Sequence, residues 1–179
     1  MALLKNNLEV RNKLKGDFST ILGELDEIDE NDAIDFIKWM EKKCKIYCKA
    51  LLNKPYPVLP NKMSRGDIVL CDLGINIPPE FSDKNTGKHF VVVWLQQGHN
   101  IVVIPITQKK PPYSNKYVID IGKISGISAE TNYARLDSIC SVSLRRISRV
   151  CGTPNGKLTS TLIREKINSK FLELFVDKC

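Results

Sequence analysis

Lys88-His89 and Thr107-Gln108 are the residues of this sequence whose types and settings best fit chemistry. His89 follows a Gly-bounded loop and opens an apolar run, Phe90-Val91-Val92-Val93-Trp94-Leu95, so a loop-to-strand junction would present its imidazole on a rigid support. An imidazole moves protons near neutral pH, and the neighbouring Lys88 ammonium can hold a phosphate. Thr107 ends a second apolar run, Ile101–Ile106, and precedes Gln108-Lys109-Lys110, where a hydroxyl beside two cations can orient an anion. Leu144-Arg145-Arg146-Ile147-Ser148-Arg149 gathers three arginines. Read as a strand, it puts Arg145 and Arg149 on one face and Arg146 on the other. That face can grip phosphates, although few aromatic residues interleave with the basic ones, so base stacking is not signalled. The other histidine, His99, lies in a polar Gly-Asn turn.

Other chemistries lack their signatures. No P-loop, GxGxxG, GxSxG or HExxH occurs. The six cysteines at 44, 48, 71, 140, 151 and 179 follow no signal peptide, so a disulfide framework is not expected. Cys44 and Cys48 share a helix face, but no second pair or histidine cluster completes a metal site, and no cofactor is expected. No apolar run reaches the roughly 18 residues of a membrane span. A protein of the cytoplasm with no membrane partner is expected.

The elements that must position these residues divide near residue 60. Residues 1–53 read as a helical extension. Leu14, Phe18, Ile21, Leu25 and Ile28 recur at 4-3-4-3 spacing. Gly16-Asp17 predicts a break that would make residues 3–15 a separate short helix. A second helix starts in the acidic stretch Glu27–Asp32 and ends among Lys42, Lys43, Lys45 and Lys49, a polarity that suits the helix dipole. Together they predict a helical hairpin. Pro55, Pro57 and Pro60 punctuate a linker over 54–62. Residues 63–179 turn to β, with strands expected over 67–73, 90–95, 101–106, 116–121, 132–137 and 144–150, and a closing helix over 159–175. Short strands at close spacing without βαβ alternation predict an α+β protein built on a small antiparallel barrel. The net charge of +7 follows the same division. Residues 1–62 hold 11 basic and 10 acidic side chains, and residues 63–179 hold 16 and 10. An anionic partner is expected at the C-terminal part.

Four segments in this order are similar to the MazF/PemK-type toxins: Ser64–Leu73, Gly87–Val93, Val103–Thr107, and Ala134–Ile139 with the strand after it. The resemblance covers about residues 63–176. It implies a small SH3-like antiparallel β-barrel (MazF/CcdB-like) with a C-terminal helix, forming a homodimer. It implies a metal-independent endoribonuclease that cuts single-stranded RNA to a 2′,3′-cyclic phosphate and a 5′-hydroxyl, silenced by a cognate antitoxin. The family's Gly-x-Arg-Pro motif falls on Gly87-Lys88-His89-Phe90, so His89 stands at the catalytic arginine's position and Phe90 at the proline's. Histidine can both donate protons and stabilise charge. The resemblance thus implies His89 as general acid or base and Thr107 as its catalytic partner. Lys88, Gln108, Ser138, Arg145 and Arg149 are implied as substrate-binding. The loss of the arginine also fits an alternative, a non-catalytic binding module of the same fold that inhibits a protein target, as gyrase-poisoning relatives do, or binds nucleic acid. The acidic segment Glu24–Asp32 is a candidate restraint on the basic part.

Overall fold

A computed structural model describes residues 3–54, 63–76, 88–110, 115–124, 127, 129–150 and 161–176, without the side chains of 148–150 and 162–163. Residues 55–62 of the linker expected over 54–62, most of the loop before Lys88, and Cys151 and Cys179 lie outside the described residues.

Two helices come first. α1 spans Leu8–Leu25, capped by the Asn7 side chain, which accepts from Val10 N at 3.1 Å. The break expected at Gly16-Asp17 is absent. A glycine inside a helix costs only about 1 kcal/mol, and here the ladder runs through it. The Gly16 carbonyl also accepts the Thr20 hydroxyl at 3.3 Å. α2 spans Glu30–Leu51. Asp29 caps it by accepting from Asn31 N and Asp32 N, with Glu30 and Asp32 in the first turn and Lys49 in the last, the charge polarity expected.

Seven strands follow among the described residues: β1 Ile68–Cys71, β2 His89–Gln97, β3 Asn100–Thr107, β4 Val118–Asp120, β5 Tyr133–Arg135, β6 Cys140–Ser143 and β7 Ile147–Val150. All pairings are antiparallel, in the order β4-β5-β3-β2-β1-β7, with β6 beside β3. α3, Thr161–Phe175, closes the chain. The fold is α+β, as the alternating short apolar runs imply.

Both faces of the sheet are covered. Ile68, Val92, Trp94, Ile104 and Ile106 join Ile167 of α3 in one core, with Phe90, Phe171 and Leu174 against it. Val69, Cys71, Val91, Val93, Ile101 and Val103 form a second core on the opposite face with Val142 and Ile147. Burial on both sides is why β2 reads as an unbroken apolar run rather than an alternating one.

The segment 144–150 differs from its expected form. Leu144–Arg146 is a 3-10 turn, and only Ile147–Val150 is strand. Ser143 caps that turn by accepting from Arg145 N at 3.3 Å. Strand parity therefore does not govern Arg145 and Arg146. β6 was not expected as a strand. Cys-Ser-Val-Ser carries one strongly apolar residue, Val142, and pairing with β3 supplies what propensity does not.

Candidate active site

The antiparallel pairing of β2 with β3 brings the strand ends that carry His89 and Thr107 together. Val91 pairs with Pro105 at the end of the β2–β3 ladder, with His89 two residues before Val91 and Thr107 two residues after Pro105. Cys71 pairs with His89, and Tyr133 pairs with both Thr107 and Asp120. Cys71 and His89 thus form one cross-strand pair, and Thr107, Tyr133 and Asp120 form a row across three strands. Residues directly opposite in antiparallel strands share a face. His89 and Thr107 also share parity with Val91, Val93, Pro105 and Val103, so they lie on the face opposite α3.

His89 is half-buried, and its Nε2 hydrogen-bonds the carbonyl of Ile106, the residue before Thr107. A carbonyl only accepts, so Nε2 carries the hydrogen, and in the neutral ring the lone pair is on Nδ1. Thr107 Oγ1 accepts from Lys109 N at 3.2 Å, which turns the chain out of β3. Lys88 and Gln108 flank the pair at the strand ends, both exposed.

A pocket of about 520 Å³ opens on this same face. Leu73, Asn76, Pro105, Ser138, Cys140 and Arg146 are among its walls. Pro105 is two residues from Thr107 along β3, roughly 7 Å, so the pocket adjoins the His89–Thr107 pair. Ser138 Oγ donates to Asp137 Oδ1 at 3.3 Å. Asp137 is clamped by Arg135, whose Nε and Nη2 donate to its two oxygens at 2.7 and 2.8 Å. Asn115 Nδ2 donates to Oδ2 at 3.4 Å. Burial pushes the Cys140 thiol above its ordinary range, and the Arg146 guanidinium partly offsets this.

The three arginines separate. Arg146 lines the pocket and places its guanidinium 5.0 Å from the Trp39 ring centroid. Arg145 turns towards the helical extension, its Nη2 donating to the Lys54 carbonyl at 2.7 Å. Arg149 pairs with Leu70 in the β7 register, and its side chain lies outside the described residues. Arg135, Tyr133 and Arg146 also stand near these residues. The alternation Tyr133-Ala134-Arg135 carries a signal for the first two, but only the pairing with Thr107 shows which face they share. Arg146 is hidden from a parity reading because Leu144–Arg146 folds as a 3-10 turn.

Among the described residues no three His, Cys, Asp or Glu side chains converge as a metal ion requires, and no helix is long and apolar enough to cross a membrane.

Residues 64–175, nearly two-thirds of the chain, match the family described as the PemK-like, MazF-like toxin of type II toxin–antitoxin systems. The chain belongs to this toxin family. The His89–Thr107 pair, the pocket and α3 all fall within the matched segment, whereas α1 and α2 precede it. No curated protein matches the chain. Among solved structures, an endoribonuclease in complex with its cognate antitoxin from a mycobacterial species is similar at 15% identity. That match covers 63% of this chain and 93% of that one, with a TM-score of 0.42.

Proposed function

We propose that this PemK/MazF-family toxin is a metal-independent endoribonuclease that cleaves single-stranded RNA, with His89 and Thr107 as its catalytic pair. The observation that carries the reading is the hydrogen bond from His89 to the Ile106 carbonyl, next to Thr107, at the ends of β2 and β3, beside the pocket and within the family segment.

His89, as general base, takes the proton of the RNA 2′-hydroxyl. The 2′-oxygen bonds to the adjacent phosphorus and the bond from phosphorus to the 5′-oxygen breaks. The leaving oxygen takes a proton from solvent, giving a 2′,3′-cyclic phosphate and a 5′-hydroxyl. Thr107, whose oxygen accepts from Lys109 N, donates its hydroxyl hydrogen to a non-bridging phosphate oxygen. Lys88, Gln108, Ser138 and Arg149 bind the flanking strand. The Arg145 guanidinium, engaged with Lys54, contributes charge at the margin. The excess of 16 basic over 10 acidic side chains in residues 63–179 suits a polyanion. On this reading the sheet is the family's SH3-like barrel, the protein acts in the cytoplasm as a homodimer, and a cognate antitoxin restrains it. Residues 1–53, 54–62 and 63–179 are then extension, linker and toxin domain.

Purified protein incubated with mixed single-stranded RNA in EDTA tests the assignment. Cleavage is expected from the wild type, with a fall of about 10²–10⁴-fold in His89→Ala and a clear fall in Thr107→Ala. Cleavage unchanged in both variants would reject the catalytic pair. Toxicity in cells that survives both substitutions would favour the non-catalytic binding module.

A further inference from the structure

α2 lies outside the family segment, yet it holds two walls of the pocket. Trp39 is buried with 7% of its surface exposed. Its indole fits against Gly74 so closely that a Cβ there would come within 2.2 Å of the ring. Gly74 lies between Leu73 and Asn76 in the segment after β1, and both Leu73 and Asn76 line the pocket. The Arg146 guanidinium lies over the same indole, and Arg146 is the arginine of the 144–149 cluster on the pocket wall. One turn further along α2, Lys42 pairs with the Asp72 carboxylate, which is itself buried. The Asp72 N–H donates to the Arg146 carbonyl at 2.9 Å. Arg146 is therefore held at its backbone through Asp72 and at its guanidinium by Trp39, and α2 supplies both supports.

We propose that Arg146 contacts the phosphodiester of the ligand in this pocket and that Trp39 is its positioning residue, so that the N-terminal extension sets where the guanidinium meets the substrate. This rests on the reading of the pocket as part of an RNA site. A guanidinium stacked on an aromatic face keeps its edge N–H groups for an anion while its plane is fixed. Arg146 brings a guanidinium to the pocket on the face that carries His89, from another element.

The test uses the full-length chain and a 2′-O-methyl single-stranded oligonucleotide, which binds without being cut. Arg146→Ala should weaken binding and lower the slope of log K against log salt by about 0.7, one phosphate contact on a single strand. Trp39→Leu keeps apolar bulk but removes the π face. It should lower the same slope and add little further loss when combined with Arg146→Ala, whereas Trp39→Phe should restore most of the binding. If the two losses multiply in the double variant, the coupling is refuted. Cys140 gives a readout free of RNA. Arg146 and Asp137 are the charged groups that line the pocket with it. Its alkylation rate, followed by peptide mass spectrometry across pH, should shift to higher pH in both Arg146→Ala and Trp39→Leu. A shift in the first without the second would show that Trp39 does not hold Arg146. If the wild type fails to bind the oligonucleotide, the RNA reading fails, and the Cys140 profile still decides whether Trp39 positions Arg146.

Discussion

Gly74→Ala should damage this protein through two separable effects. Gly74 sits at φ +89°, in the left-handed region that L side chains enter at a cost of about 1–3 kcal/mol. The new methyl would also lie 2.2 Å from Trp39 Cζ2 and 2.3 Å from Cε2, inside any real carbon–carbon contact. The indole is rigid and buried, so relief requires a shift of α2 or of the Leu73–Asn76 segment, and overpacking of this kind costs about 1–3 kcal/mol. Together they predict a loss of about 2–6 kcal/mol. The assay is urea unfolding followed by far-UV circular dichroism, with Gly74→Ala compared in the wild type and in Trp39→Ala. Without the indole the steric part disappears and only the backbone part of about 1–3 kcal/mol should remain. Equal losses in the two backgrounds, or a loss below about 0.5 kcal/mol in the wild type, would refute the claim that α2 is seated against the toxin domain through this contact.

Lys42→Ala removes the partner of a buried carboxylate and should destabilise the chain by about 1–3 kcal/mol, read by the same unfolding measurement; Asp72→Asn in the Lys42→Ala background should recover part of the loss. Because burial raises the Cys140 pKa above that of an ordinary thiol, the folded state holds this proton more tightly than the unfolded chain. Stability from this group is therefore complete below the ordinary thiol range and declines as pH rises through it and beyond, so Cys140→Ala should flatten the alkaline limb of the stability–pH curve. At neutral pH, Cys140 should be alkylated more slowly than the exposed Cys44 and Cys48.

The β elements of the toxin domain are legible in the sequence because apolar runs bounded by Gly, Pro and polar clusters carry their own signal. Phe90–Leu95 and Ile101–Ile106 fall inside β2 and β3. β6 is not legible. A Cys-Ser-Val-Ser segment has no periodicity, and its strand form depends on the pairing with β3. For the site, residue type marks His89 and Thr107, but the antiparallel pairing of β2 with β3 that brings the ends of these strands together is not specified by any local pattern. The pocket wall was the least legible part. Arg145 and Arg149 were favoured by alternation, and the capped 3-10 turn at Leu144–Arg146 puts Arg146 there instead. The link from Trp39 to Gly74 and Arg146 joins residues 35 and 107 positions apart, and nothing in the helical stripe of α2 announces it.

If the face carrying His89 and Thr107 drives attack by the RNA 2′-hydroxyl, cleavage must depend on that hydroxyl. The most direct test is end-group analysis of an oligoribonucleotide cut in EDTA, beside the same oligonucleotide carrying a single 2′-deoxy residue at the cleavage position. A 2′,3′-cyclic phosphate and a 5′-hydroxyl are expected from the first and an uncut scissile bond in the second. Cleavage of the 2′-deoxy substrate at that bond, or a 5′-phosphate product, would contradict attack by the 2′-hydroxyl.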